Sequence, residues 1–223
     1  MEKKNMNRDV LNIILLNMNK KFIYRGAEAV LYKVGSMLVK ERISKGYRRP
    51  EIDLVKRKYP TRREDKLLKK CKAVGVNVPE VLMFNEDECK IGIEFIKGDL
   101  LKSSLDSYDD NKRKKVCVEI GKQVALMHDR NIIHGDLTTS NMIWNDEKVY
   151  FVDFGLGYIS EKIEDKAVDI HLVRQAFESK HFMFYEECFK NFLLGYKKSE
   201  KYKETMERLG KVELRGRYKR KSN

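Results

Sequence analysis

The run His134-Gly135-Asp136-Leu137-Thr138-Thr139-Ser140-Asn141 is followed, after a strand-like interval, by Asp153-Phe154-Gly155. Transfer of a phosphoryl group from a nucleotide needs a carboxylate that accepts or orients the nucleophile's proton. It also needs oxygen ligands for the magnesium ions that offset phosphate charge. In this spacing Asp136 supplies the carboxylate and Asn141 one ligand, while Asp153 supplies the second ligand. D-F-G alone would carry little weight. The combination is specific, because both motifs stand in the right order at the edges of predicted strands, behind a helix ending Leu126-Met127-His128-Asp129.

Two upstream residues complete such a site. Lys40 closes the strand MLVK and is placed to meet the α- and β-phosphates, and Glu64 lies in the following helix, where it would pair with that lysine. A surface lysine and a capping glutamate are the plainer alternatives. The loop over the phosphates would be Tyr24 to Ala29, in which Gly26, Ala27 and Glu28 face the nucleotide and only Gly26 lets backbone approach closely. Glu94-Phe95-Ile96, ahead of Lys97-Gly98, is the candidate adenine hinge, with Glu94 and Ile96 as its contacts.

These residues need a scaffold. Leu11, Ile14, Leu15 and Met18 recur at helical spacing over residues 8–18. Between Phe22 and Lys40 three short β-branched and aromatic stretches, KFIY, AVLYKV and MLVKE, are separated by Gly26 and Gly35-Ser36, which predicts an antiparallel meander. Pro50 and Pro60 argue against a continuous helix in the basic stretch that follows. Thr61 with Glu64 reads as a capping box opening a helix from Thr61 to Ala73. Two further strands are expected at Val81–Phe84 and Lys90–Phe95, giving five strands and one helix. Val116, Ile120, Val124 and Met127 mark a buried helix face from Asn111 onward. Short strands at Met142–Trp144 and Val149–Val152 then precede helices over Glu164–Ser179 and about Tyr185–Leu209.

Bulk composition sets limits. A chain of 223 residues can bury a sizeable core as one or two lobes. It has no apolar run of about 18 residues and no secretory-type leader, so a soluble protein without membrane contact is expected. Cys71, Cys89, Cys117 and Cys188 stand far apart, which fits reduced thiols better than zinc or a disulfide framework. His128, His171 and His181 show no ligand spacing, so zinc is not expected. The formal net charge of +13 attracts polyanions, and the basic residues cluster at Arg42–Arg63 and Arg215–Lys221. Asp169, on a helix whose Ile170, Val173, Ala176 and Phe177 form a core stripe, is expected to buttress the catalytic loop together with His134.

The chain resembles the small atypical kinase of the KEOPS tRNA-modification complex, known in eukaryotes as a p53-related protein kinase. The residues that carry the likeness are RGAEA (Arg25–Ala29), KGYRRPEID (Lys45–Asp53), TRREDKLL (Thr61–Leu68), MHDRNIIHGDLTTSNM (Met127–Met142), DFGLGYIS (Asp153–Ser160), EDKAVDIHLVRQAF (Glu164–Phe177) and the tail RGRYKR. The resemblance implies an α+β, bilobal, protein-kinase-like fold in minimal form, with a five-stranded antiparallel N-terminal lobe and a shortened helical C-terminal lobe. Its parts would be residues 1–97, 98–210 and a basic tail at 211–223. It implies ATP and magnesium as cofactors, and an ATPase or kinase activity supporting threonylcarbamoylation of adenosine in tRNA. The modification itself would fall to a partner threonylcarbamoyl transferase subunit, with a small accessory subunit on the N-terminal lobe. Arg215, Arg217, Lys219 and Arg220 of the tail would engage tRNA, and Tyr218 among them could stack on a base. A cytoplasmic location follows, with the nucleus also open because the basic clusters would pass as import signals.

Departures from ordinary protein kinases sharpen the reading. Gly135 replaces the arginine that grips a phosphorylated activation loop, no A-P-E follows D-F-G, and Thr138 replaces a phosphate-stabilising lysine. Weak transfer to outside hydroxyls is expected, with water the more natural acceptor. A conventional serine/threonine kinase is thereby disfavoured. A non-catalytic tRNA-binding scaffold is disfavoured by the intact Lys40, Glu64, Asp136, Asn141 and Asp153. Small-molecule phosphotransferases share H-G-D but generally lack the EDKAVD segment and the tail.

Overall fold

The computed structural model describes residues 20–221, with side chains through Arg215. The helix expected over residues 8–18 lies outside the described residues. Contacts divide the rest into two compact units, one of residues up to Arg62 with Glu80–Phe95, the other of Arg63–Pro79 with the chain from Ile96 onward.

The first unit is built on strands β1 (Lys21–Arg25), β2 (Ala29–Val34), β3 (Met37–Arg42), β4 (Val81–Asn85) and β5 (Lys90–Glu94). They form one antiparallel sheet in the order β1-β2-β3-β5-β4. The five expected strands are all present. Val34, Val39 and Met83 are its buried centre, with Tyr32 and Met37 packed against them. Lys40 sits mid-sheet, paired with Leu31 on one side and Ile91 on the other.

Helix α1 spans Pro50–Ala73, which overturns the expected break before Thr61. Pro50 occupies the first position, where its missing N–H costs nothing. Pro60 is inside the helix, although an interior proline usually costs about 3 kcal/mol. Side-chain bonds within the helix and to the preceding chain offset that cost. The buried Thr61 hydroxyl donates to the Arg57 carbonyl at 2.7 Å and accepts from the Arg42 guanidinium at 3.1 Å. Buried Asp53 pairs with Arg57 at 2.7 Å and takes the Lys45 N–H at 3.0 Å, which pins the preceding loop to the helix start. Thr61 is therefore no N-cap, and Glu64, 1% exposed, is no surface capping residue.

The second unit is mainly helical. After β6 (Asp99–Leu100) and the single turn α2 (Leu101–Ser104) come α3 (Asp110–Asp129), β7 (Ile132–Ile133), β8 (Met142–Asn145), β9 (Lys148–Phe151), β10 (Tyr158–Ile159), α4 (Ile163–Lys180), α5 (Tyr185–Tyr196) and α6 (Tyr202–Lys221). Asp109 caps α3 by accepting the Lys112 N–H. The expected face Val116, Ile120, Val124 and Met127 is fully buried, as are Ile170, Val173 and Phe177 of α4. Helices α3 and α5 cross backbone to backbone. A Cβ on Gly121 would lie 2.0 Å from the Phe192 carbonyl oxygen, and one on Gly195 2.0 Å from that of Val118.

The single helix expected over about Tyr185–Leu209 is in fact two. No proline marks the break; Asp129 makes it, by accepting from the Ser199 hydroxyl at 2.7 Å and the Glu200 N–H at 3.2 Å. The stretch expected as a separate tail from 211 continues α6 through Lys221. All four cysteines are free and buried, and burial pushes the Cys71 thiol up to about 12. Among the described residues no helix is long and apolar enough to cross a membrane.

Candidate active site

The loop from His134 to Asn141 is framed by β7 before it and, on the far side of Asp153-Phe154-Gly155, by β10, which pairs antiparallel with β7 through Tyr158↔Ile133 and Ile159↔Ile132. Two apolar residues on each strand thus bring together motifs separated in sequence. Asp169 of α4, 1% exposed, then accepts two backbone N–H groups, from His134 at 2.7 Å and Gly135 at 2.9 Å. A buried carboxylate with charge-assisted bonds of this kind fixes the entry of the loop.

His134 is fully buried and packs on Phe154 with ring centroids 4.5 Å apart. Its Nε2 meets the Val152 carbonyl at 3.1 Å, so Nε2 carries the proton and Nδ1 accepts the Asp136 N–H at 3.3 Å. Burial, the largest influence, lowers its pKa below the ordinary histidine value, which keeps the ring neutral as this pairing requires. The Val152 N–H in turn donates to the Asn141 carbonyl at 3.0 Å. The residue before Asp153 is therefore bonded to both ends of the loop. Backbone groups carry no sequence signature, and the role of Val152 could not be read from the chain.

Asn141 closes the loop on Asp136. Its Nδ2 donates to the Asp136 carboxylate and to the Asp136 backbone carbonyl, each at 2.9 Å. Because the amide nitrogen is used in this way, Asn141 presents its Oδ1 as a neutral oxygen donor. Asp153 adopts φ 63° and ψ 67°, a left-handed conformation, and accepts the Gly155 N–H at 3.4 Å. Aspartate tolerates this region better than most residues, and such backbone strain concentrates at functional sites. Gly135 has φ +77°, and a Cβ there would lie 2.5 Å from the Leu156 carbonyl oxygen, so this backbone has no room for an arginine.

Asn141 and Asp153 are both hard oxygen donors, the set that suits magnesium. Among the described residues no group of three or more His, Cys, Asp or Glu could hold a metal by itself. Magnesium fits this arrangement because it binds one or two protein oxygens and completes its shell with water and phosphate.

The remaining expected site residues divide between the units. Glu64 and Ile96 belong to the helical unit; Lys40, Gly26, Ala27, Glu28 and Glu94 belong to the sheet unit. Gly26 turns the chain between β1 and β2, its N–H bonded to the Ala29 carbonyl at 2.9 Å. Arg48 grips Glu28 through both guanidinium nitrogens, at 2.9 and 3.3 Å, and this bond holds the Glu28 carboxyl below the usual range. The N–H groups of Glu94 and Phe95 are used on the carbonyls of Glu80 and Ser36. Arg215 pairs with Glu164 at 2.8 Å, while Arg217, Lys219 and Arg220 lie in the last turns of α6.

A family model described as RIO domain matches residues 37–188. The KEOPS complex subunit Bud32 of Pyrococcus abyssi is 43% identical over 91% of this chain and 98% of its own length. A probable bifunctional tRNA threonylcarbamoyladenosine biosynthesis protein of Methanothermobacter thermautotrophicus is 38% identical over 87% of this chain, which spans 36% of that longer protein. Among solved structures, the Rio2 kinase–ADP/Mg2+–phosphoaspartate complex of Chaetomium thermophilum aligns over 97% of this chain and 76% of its own, with a TM-score of 0.60 at 13% identity, a likeness of fold alone. The expected α+β kinase-like fold with a five-stranded antiparallel sheet is thus the observed one. With the matched region covering most of the sequence and the Bud32 identity extending over nearly all of it, the chain belongs to the Bud32 family of RIO-domain proteins.

Proposed function

We propose that this chain binds Mg·ATP and cleaves its γ-phosphoryl group as the atypical kinase and ATPase subunit of a KEOPS-type complex that makes threonylcarbamoyladenosine in tRNA. The observation that carries the reading is the pair of hydrogen bonds that Asn141 Nδ2 donates to the carboxylate and the backbone carbonyl of Asp136, on a loop anchored by the buried Asp169. This pairing orients the Asp136 carboxylate before any nucleotide arrives, and catalysis in phosphoryl transfer is largely positioning and electrostatics.

In the proposed mechanism Asp136 orients the attacking water and accepts its proton as the water oxygen bonds to the γ-phosphorus and the bond from that phosphorus to the bridging oxygen breaks, releasing ADP and inorganic phosphate. Asn141 and Asp153 hold magnesium, which when bound offsets charge on the phosphate oxygens. Lys40 neutralises the α- and β-phosphates with Glu64 as its partner, and Gly26, Ala27 and Glu28 cover them. Because Arg48 already compensates the Glu28 charge, that loop repels phosphate less than its sequence suggests. Glu94 and Ile96 flank the adenine. Thr138, in place of a lysine, favours water over a protein hydroxyl as acceptor.

Partnership is supported by the names of the relatives: a KEOPS subunit, and a bifunctional protein in which a region like this chain is part of a longer polypeptide. The partners proposed are a threonylcarbamoyl transferase, a small accessory protein on the sheet unit, and tRNA reached through Arg215, Arg217, Lys219 and Arg220. The proposed site of action is the cytoplasm, with the nucleus as a second location.

The test is ATP hydrolysis by the wild type and Asp153→Ala, alone and with tRNA plus the transferase. Hydrolysis that depends on Asp153 and rises with the additions supports the coupled ATPase. Tight tRNA binding with no hydrolysis in any mixture would leave only a scaffold role.

A further inference from the structure

The far end of the catalytic loop has an anchor of its own. His181 follows the last residue of α4 as its C-cap, and it is 1% exposed. Its Nε2 lies 3.0 Å from the hydroxyl of Thr139, itself 1% exposed, and its Nδ1 lies 2.7 Å from the Asp106 carboxylate. An ionised carboxylate only accepts, so Nδ1–H donates to Asp106 and Nε2 accepts the Thr139 O–H. Thr139 opens the 3-10 turn Thr139–Asn141, and the Asn141 N–H is held by the Thr138 carbonyl at 2.9 Å. Asn141 is the residue whose side chain grips Asp136.

One helix therefore holds the loop at both ends. Asp169 secures His134 and Gly135 at the entry, and His181, about 18 Å further along the helix direction, secures Thr139 near the exit. A histidine placed only to fill the core would not need two polar partners on opposite ring nitrogens. An unpaired buried hydroxyl at Thr139 would be costly, and the turn would shift to reach water.

We infer that His181, oriented by Asp106, is a positioning residue whose Nε2 holds the Thr139 hydroxyl and so sets the turn that places Asn141 against Asp136. The effect on turnover rests on the phosphoryl-transfer reading; the effect on the loop rests on geometry alone.

The test uses the full chain and two readouts: ATP turnover with transferase and tRNA, and amide hydrogen exchange at Asn141 in the chain by itself. His181→Ala and Thr139→Val should each lower kcat about tenfold with KM for ATP changed less than about twofold, and should speed Asn141 exchange by about tenfold. His181→Gln, which can present a polar atom where Nε2 stands, and Thr139→Ser, which keeps the hydroxyl, should restore most of both. His181→Asn, which reaches only toward Asp106, should not. Unchanged Asn141 exchange in His181→Ala and Thr139→Val, or equal recovery by Asn and Gln, would overturn the inference. If the wild type turns over no ATP in any mixture, the phosphoryl-transfer reading falls and the exchange series alone decides the positioning role. If His181→Ala fails to fold, the Val and Ser variants of Thr139 carry the decision.

Discussion

Asp136 donates its backbone N–H to Nδ1 of His134, whose opposite nitrogen is engaged by the Val152 carbonyl. The ring can serve both only while neutral, and protonation would turn the acceptor into a second donor facing an N–H.

A pH dependence of stability follows. Burial lowers the His134 pKa from its ordinary 6.5 in the folded chain, so below 6.5 the unfolded state binds the proton more readily. The stability contributed is present above about pH 6.5 and is lost as the pH falls through the folded value. Urea unfolding between pH 8 and 5 should show this decline, and His134→Gln should flatten it. Equal slopes in the two proteins would remove His134 as the cause.

The ligand and base assignments predict large losses in turnover. Asp136→Asn and Asp153→Ala should each reduce ATP hydrolysis by about 100-fold or more, with thermal unfolding of the chain little changed. Asn141→Ala should do likewise, because it removes both an oxygen donor and the bond that orients Asp136. Retained hydrolysis in Asp136→Asn would sink its role as base.

Gly135 stands at φ +77° with the Leu156 carbonyl against the place a Cβ would take. Gly135→Ala should cost about 2 kcal/mol by denaturant unfolding, and Gly135→Arg, the ordinary kinase residue, should cost more. A neutral alanine variant would show that the loop can relax.

The crossing of α3 and α5 makes a similar prediction remote from the chemistry. Gly121→Ala should destabilise the fold by about 2–3 kcal/mol, since the added methyl meets the Phe192 carbonyl and two neighbouring backbone atoms of α5. Gly210→Ala, where a Cβ meets nothing within 4 Å, is the control and should leave the midpoint unchanged or raise it.

Loss of the Thr61 hydroxyl should show what keeps α1 whole across Pro60. Thr61→Val is expected to lower stability by about 1–2 kcal/mol, because it removes a buried hydrogen bond from Arg42. Circular dichroism that reported less helix as well would tie the continuity of α1 to this contact.

The strands of the sheet and the helices α3 and α4 were legible because their apolar residues recur at the period of the element they form. The motifs of the proposed chemistry were legible because phosphoryl transfer demands fixed residue types at short spacing, as proposed for Asp136 and Asn141. Helix α1 was misread in its first half because the face it buries there carries Asp53, Arg57 and Thr61, which gives no hydrophobic period, and because Pro60 is a local breaker overruled by contacts made elsewhere. The division of α5 from α6 was invisible because its cause, Asp129, lies far away in sequence. What the sequence by itself determined, then, was the family, its motifs and most of the elements available to carry them. The tertiary structure alone decided how those groups are held. Asp169 was expected to buttress the loop, but its choice of the His134 and Gly135 N–H groups, and the holds of His181 and Val152, depend on hydrogen bonds between distant residues that leave no pattern in either neighbourhood.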